Sequence, residues 1–212
     1  LTQYLAGSPG LTLQGAERAS RGKEVFHLVK YDDTAGYQRR VMNDVGGDNA
    51  RPEDQVAFPD LFPILLTAQE SLEEVNRRVS TMQVTMDRFR PNIVVAGAPA
   101  FDEDTWAVVE VGGGVALRCL EQDPRCQVPS INQLTGEKDP NFEPSRTLRG
   151  FRRLFDPFGK AGELGREGPM FGIYAAHGGK PGELRVGDSL QVVERSTADS
   201  LHEHWSNRPR TV

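Results

Sequence analysis

Cysteine occurs at two positions, Cys119 and Cys126, and the second has neighbours suited to ligand chemistry. Cys126 lies in the run QDPRCQVPSINQLTG, where Pro124 and the acidic residues before it place the thiol in a turn just after a strand. Its neighbour Arg125 is a cation that favours the thiolate, the form that binds metals. A thiolate is a soft ligand, suited to a soft or strongly oxophilic centre that also carries sulfur from elsewhere. The competing role is a buried structural thiol, the commoner fate of an arbitrary cysteine, and composition alone does not choose the ligand. The spacing of the two cysteines fits neither a zinc knuckle nor a Cys-x-x-Cys redox pair.

A second constellation is RFRPNIVV, from Arg88 to Val95. Arg90 can present a planar fork to a phosphate or carboxylate, and Asn92 carries both a donor and an acceptor. A surface arginine and a turn asparagine ahead of a strand fit the same residues equally well. A third, His202-Glu203-His204, falls in a polar terminal stretch, where a solvated role is the better reading. His27 and His177 have no evident partner in sequence, and no nucleophile elbow, Walker loop or His-Glu-x-x-His helix is present.

These residues need elements to hold them. LTQYLAG reads as a short helix, EVFHLVKY as a strand, and the polar stretch from Asp32 to Glu53 as a loop. FPDLFPILLT leads into a buried strand. Thr67 and Glu70 have capping-box spacing, and Leu72, Val75 and Val79 follow at helical spacing, which predicts an amphipathic helix. NIVVAG, TWAVVEV and GVALRCL read as strands, the last two forming a hairpin across Gly112 to Gly114. SRTLRGFRRLF (Ser145 to Phe155) is a second helix, MFGIYAA and ELRVGDSLQVV are late strands, the second bent at Gly187-Asp188, and the residues from Arg195 form a polar tail. The outcome is a mainly β domain with a few helices (α+β), plausibly a barrel.

Composition agrees. Hydrophobic residues at 37% and charged ones at 26% allow a core inside a solvated surface, while 14 prolines and 22 glycines favour strands joined by turns. A net charge of −5 argues against nucleic-acid binding but leaves room for a local basic pocket. Two cysteines are too few for a disulfide scaffold and suit a reducing, intracellular compartment. No apolar run has the length of a membrane span. The chain opens on Leu1 and without a signal peptide, so it reads as a fragment, with any anchor or targeting segment upstream.

Taken in order, RPEDQVAFPDLFPILLT, the helix around SLEEVN, RFRPNIVV, the DEDTW run, PRCQVPSINQLTG, FEPSRTL, PMFGIY and LRVGDSL resemble the MOSC domain of molybdenum cofactor sulfurases and of the mitochondrial amidoxime-reducing component. The resemblance runs from about Arg51 to Val193. It implies a MOSC-type β-barrel holding a molybdenum–molybdopterin cofactor, with residues 1–50 a remnant of an N-terminal region, 51–194 the MOSC domain and 195–212 the tail. In amidoxime-reducing members the residue matching Cys126 ligates molybdenum. The residues matching Asp60, Arg90, Asn92 and Tyr174 sit at the cofactor, and Arg125 flanks the ligand. The implied reaction is reduction of N-hydroxylated compounds, with electrons arriving singly from a haem protein, in a mitochondrial or membrane-anchored setting. The alternative is a non-redox module that carries cofactor or sulfur, as in the sulfurases, where pyridoxal phosphate binding is also implied at family level. A third is a barrel that keeps the fold to bind a partner. The chain departs from the family at Asp123, where members often have cysteine, and at Leu61 and Phe62, where amidoxime reducers carry hydroxyls. It also begins after the family's N-terminal barrel portion, which supplies further basic contacts to the cofactor.

Overall fold

The computed structural model describes residues 39–40, 50–51, 53–56, 61–152, 168–179 and 182–196, all within the unit that begins at Arg39. The readings of residues 1–38, Asp60, residues 153–155 and the tail from residue 197, with His27 and His202 to His204, lie outside these residues.

Among the described residues the strands are β1 (Arg39–Arg40), β2 (Gln55–Val56), β3 (Ile64–Ala68), β4 (Ile93–Val95), β5 (Trp106–Val111), β6 (Val115–Pro124), β7 (Met170–His177) and β8 (Leu190–Arg195), and the helices are α1 (Gln69–Arg78) and α2 (Ser145–Phe151). β3 to β8 form one six-stranded sheet in the order β4-β3-β7-β6-β5-β8. Its pairs are antiparallel except β3–β4, which is parallel. β1 pairs with β2, so the stretch from Asp32 to Glu53 is not all loop.

Strand alternation sends one row of side chains to each face of the sheet. Leu66, Val109, Leu117, Cys119 and Ile173 pack on one face, joined by Ile93 from one edge strand and Val192 from the other. The sheet curls around this core as a half-barrel, the mainly β arrangement that the resemblance implies. On its other side two further clusters form. Leu72, Val75 and Val79 of the α1 segment pack with Phe89, Leu148 and Phe171, while Val56 and Phe62 pack with Leu120 and Ala176.

The α1 helix follows its apolar spacing, but its start differs from expectation. The cap is Ala68, with no side-chain cap bond. Thr67 belongs to β3 and its hydroxyl turns to Met86 Sδ, while Glu70 accepts the Gly97 N–H at 2.6 Å. One orphan backbone donor at this helix start meets Glu103 instead, whose Oε1 accepts the Ala68 N–H at 3.3 Å and also the Ser71 hydroxyl at 2.7 Å. The late strand is also shorter than expected. Arg185 to Asp188 is a turn closed by Asp188 N–H to Arg185 O, and pairing starts at Leu190. β8 runs on to Arg195, whose guanidinium takes both carboxylate oxygens of Asp102, each at 2.9 Å.

Candidate functional site

β6 carries the chain to Cys126, and its path is not regular. Cys119 opposes Ala175 in β7, but two residues later Glu121 opposes Tyr174, so one extra residue is inserted in β6 between them. Such a bulge reverses which residues point to which face. Residues directly opposed in a ladder share a face. Glu121, and Asp123 two residues on, therefore lie on the Tyr174 side rather than in the core with Cys119. A second irregularity, between Gln122 and Pro124, falls at Gly172 of β7, where φ is +83°.

Asp123 is almost fully buried and stands between two residues singled out in the sequence. Its Oδ1 accepts the Tyr174 hydroxyl at 2.7 Å. Its Oδ2 accepts from the Arg125 guanidinium in an ion pair. Arg125 also donates Nη2 to the Phe89 carbonyl at 2.7 Å, and its backbone N–H donates to Pro169 O at 2.9 Å. Arg125 adjoins the thiol in sequence, and in the structure its guanidinium is paired with Asp123.

Phe89 fixes the next part of the site. Its ring is fully buried and stacks on Phe171 with centroids 3.8 Å apart. It ends a 3-10 turn (Met86–Arg88), and Pro91 bars the right-handed helical region at the residue before it. Arg90 turns to φ +57°, a costly conformation for a non-glycine residue, and its side chain is exposed. No hydrogen bond holds its guanidinium among the described residues. Asn92 is also exposed, but its Oδ1 accepts the Leu65 N–H at 2.8 Å. Of the donor and acceptor read from sequence, the acceptor is engaged by the backbone and the Nδ2 donor is left for a ligand. Leu65 opposes Tyr174 in the ladder, which ties Asn92 to the Asp123 side of the site.

Cys126 is exposed and free, and Cys119 is buried. Burial pushes the Cys119 thiol up to about 12, so the structural role weighed for an arbitrary cysteine belongs to it. Cys126 Sγ accepts the Val128 N–H at 3.4 Å, from the start of a 3-10 turn (Val128–Ser130). Its carbonyl accepts the Ser145 hydroxyl at 3.3 Å, and Ser145 meets Ser130 at 3.0 Å, which docks the start of α2 beside the thiol. Sequence reading missed Ser130, Ser145 and the Phe89 carbonyl. A serine within FEPSRTL carries no signal that it will turn back to a residue 19 positions earlier.

Phe62, noted for its lack of a hydroxyl, is buried with its ring 4.6 Å from that of Tyr174. It forms an apolar wall behind the phenol. The structure thus joins Arg125, Asp123 and Tyr174 directly, and links Asn92 and the segment of Arg90 to them. A separate cleft of about 370 Å³ lies at the His177 end of β7, lined by Arg51, Asp54, Arg118 and His177 among others. There Arg118 is already held by Asp54 and the His177 carbonyl. The thiol lies at the other end of β7, next to the Pro124–Met170 pairing, so we place the candidate site by its chemistry rather than by volume.

Among the described residues no three His, Cys, Asp or Glu side chains cluster as a metal cage, and no helix is long and apolar enough to cross a membrane. A molybdenum held by one thiolate and by the sulfurs of its own pterin needs no such cage. The side chains present fit that group: an exposed thiol, an exposed guanidinium, an amide donor and a phenol.

The chain is 42% identical over 168 residues to the mitochondrial amidoxime reducing component 2 of Macaca fascicularis, covering 79% of this chain and 47% of that protein. It is 40% identical over 172 residues to component 2 of Bos taurus, covering 81% and 48%. It is 38% identical over 145 residues to the mitochondrial amidoxime-reducing component 1 of Mus musculus, covering 68% and 40%. The chain spans about half the length of the curated relatives it matches. Neither these relatives nor the family match supports pyridoxal phosphate binding. The MOSC domain model matches residues 53–191, and the chain belongs to the MOSC domain family.

Proposed function

We propose that the chain is the molybdenum-cofactor-binding part of a reductase of N-hydroxylated compounds, with Cys126 as the metal ligand. The observation that carries this reading is the exposed Cys126 thiol at the end of β6, beside a fixed Asp123–Tyr174–Arg125 network. The names of the relatives support the substrate class. When bound, the molybdenum cofactor supplies the two-electron chemistry that removes oxygen from nitrogen. The chain's own residues bind and orient. Arg90 offers a bidentate fork to an anionic group such as the cofactor phosphate, Asn92 offers its Nδ2, and Tyr174 its hydroxyl oxygen. Asp60 belongs to the proposed set on the resemblance alone. The Ser145 and Val128 contacts hold the backbone around the thiol, so that Sγ meets the metal with little reordering.

Reduction draws electrons from a donor, for which we propose a haem protein, and the relatives' names support a mitochondrial setting. The test is elemental analysis for molybdenum on the full-length protein, wild type beside Cys126→Ala. Near-stoichiometric metal in the wild type and little in the variant is the expected result. Metal at the wild-type level in Cys126→Ala overturns the ligand assignment. Cofactor bound without reduction of any amidoxime by any donor points instead to a carrier of cofactor or sulfur.

A further inference from the structure

Asp123 does more at this site than its neighbours in sequence suggest. Its side chain is 3% exposed, and its two oxygens are divided between Tyr174 and Arg125. Paired with a guanidinium, a carboxylate is ionised and accepts only, so the proton in the Tyr174 bond is the tyrosine's. A phenol has one such proton. With it given to Asp123, the Tyr174 oxygen offers only lone pairs in other directions. The Phe62 ring, 4.6 Å away, packs against the phenol and hinders it from swinging off the carboxylate. Arg125 is braced in turn by the Phe89 carbonyl and lies over that ring at 5.7 Å. A cysteine in place of Asp123 would bring neither the charge nor two strong acceptors.

We propose that Asp123 is a positioning residue that fixes Tyr174 as a hydrogen-bond acceptor toward the site, so that the ligand group it meets is an N–H or O–H donor. This rests on the reading that the Cys126 face takes the cofactor. The donor belongs either to the cofactor's pterin or to the N–OH or amino group of the substrate, and the chemistry is the same for both.

The experiment uses full-length holoprotein as wild type, Asp123→Asn, Tyr174→Phe and the double variant. The first readout is the tyrosine Fermi-doublet ratio in Raman difference spectra, wild type minus Tyr174→Phe and Asp123→Asn minus the double. It reports whether the Tyr174 phenol donates or accepts. The second is molybdenum per protein, and the third is KM against kcat for an aryl amidoxime. We expect a strong-donor signature in the wild type that is lost in Asp123→Asn. We also expect each single variant to weaken the same binding step by up to about tenfold, the scale of one hydrogen bond to a neutral group. A fall in molybdenum assigns the donor to the cofactor, and a rise in KM at full metal and kept kcat assigns it to the substrate. The double variant should be no worse than the worse single one. An unchanged Raman signature in Asp123→Asn, or losses that multiply in the double variant, overturns the proposal. If Asp123→Asn does not fold, Asp123→Cys, the residue the family often carries there, takes its place with the same expectations. A wild type with the donor signature but no molybdenum overturns the cofactor reading and leaves the hold of Asp123 on Tyr174 standing.

Discussion

Asn92 grips Leu65 at both backbone groups: its Oδ1 accepts the Leu65 N–H at 2.8 Å, and its own N–H donates to the Leu65 carbonyl at 2.9 Å. The side chain thereby extends the parallel β3–β4 ladder by a rung beyond Leu66–Ile93. The strand-anchor role falls on Oδ1, and the ligand-donor role proposed for Asn92 would fall on the other amide atom, Nδ2.

That division makes a prediction. Asn92→Ala strips the acceptor from a backbone donor in a buried strand and should cost roughly 1–3 kcal/mol of stability. Asn92→Asp keeps an acceptor oxygen in place, so its melting temperature without metal should stay near that of the metal-free wild type. It replaces the Nδ2 donor with a second acceptor, so cofactor retention should fall in both variants. Thermal melts beside molybdenum analysis check this, and equal loss of stability in the two variants would mean that Oδ1 is not the anchor.

The two thiols should separate in the same way. Cys126 is exposed, so Cys126→Ala should change the stability of the metal-free protein by no more than about 0.5 kcal/mol, and the variant should retain little metal. Cys119 packs in the core with Leu66, Leu117 and Ala175. Cys119→Ser places a hydroxyl there and should cost about 1–3 kcal/mol with metal per folded protein unchanged. Denaturant melts and metal analysis on both variants decide it, and metal loss in Cys119→Ser with the fold intact would contradict the assignment.

How much of this was legible in the sequence depends on the range of the interaction. α1 was legible because Leu72, Val75 and Val79 declare one buried face locally. The hairpin at Gly112 and Gly113 was legible because φ values of +63° and +71° suit glycine. Cys126 was singled out as a candidate through an ordered set of resembling segments, and the structure shows an exposed thiol there. What could not be read was set by pairing between distant segments. The bulge after Cys119 exists only in register with β7, and it alone decides that Asp123 faces Tyr174 rather than the core. Arg125 adjoins Cys126 in sequence, yet its guanidinium goes to Asp123 and to a carbonyl 36 residues back. The cap of α1 failed as a reading for the same reason, since Glu103 is 35 residues from Ala68 and displaced the local Thr67–Glu70 box.

Glu103 also gives the stability a pH dependence. It is fully buried, and burial raises its carboxyl above the ordinary value of 4.5, against the Ser71 bond that lowers it. The folded state then binds a proton more tightly than the unfolded one. Its contribution is fully present below 4.5 and is lost as pH rises through the raised value. Glu103→Gln keeps an acceptor for Ser71 and Ala68 without the charge, so its stability should fall less than that of the wild type as pH rises above 4.5. Glu103→Ala leaves those donors without it and should lose roughly 1–3 kcal/mol at any pH. Urea melts across the pH range check both, and parallel wild-type and Glu103→Gln curves would remove Glu103 as the source.

Gly172 is where a single methyl group should disturb the site from a distance. It sits at the β7 irregularity with φ +83°, and an added Cβ would lie 2.7 Å from Thr67 Cγ2 and 2.9 Å from the Leu66 carbonyl. The backbone carbonyl belongs to the neighbouring strand and cannot yield without opening the β3–β7 ladder. The left-handed conformation and the clash act together, so Gly172→Ala should cost on the order of 1–3 kcal/mol or more. The damage should not be uniform. Tyr174 stands two residues along the same strand, and its bond to Asp123 depends on the register that Gly172 permits. Amide hydrogen exchange should show faster opening of β7 and of the Asp123 end of β6, with the β5–β8 pairing, on the far side of β6, nearly unaffected. Exchange that rises equally across all six strands would show instead that Gly172 matters only to global stability and does not set the register that holds Tyr174 to Asp123.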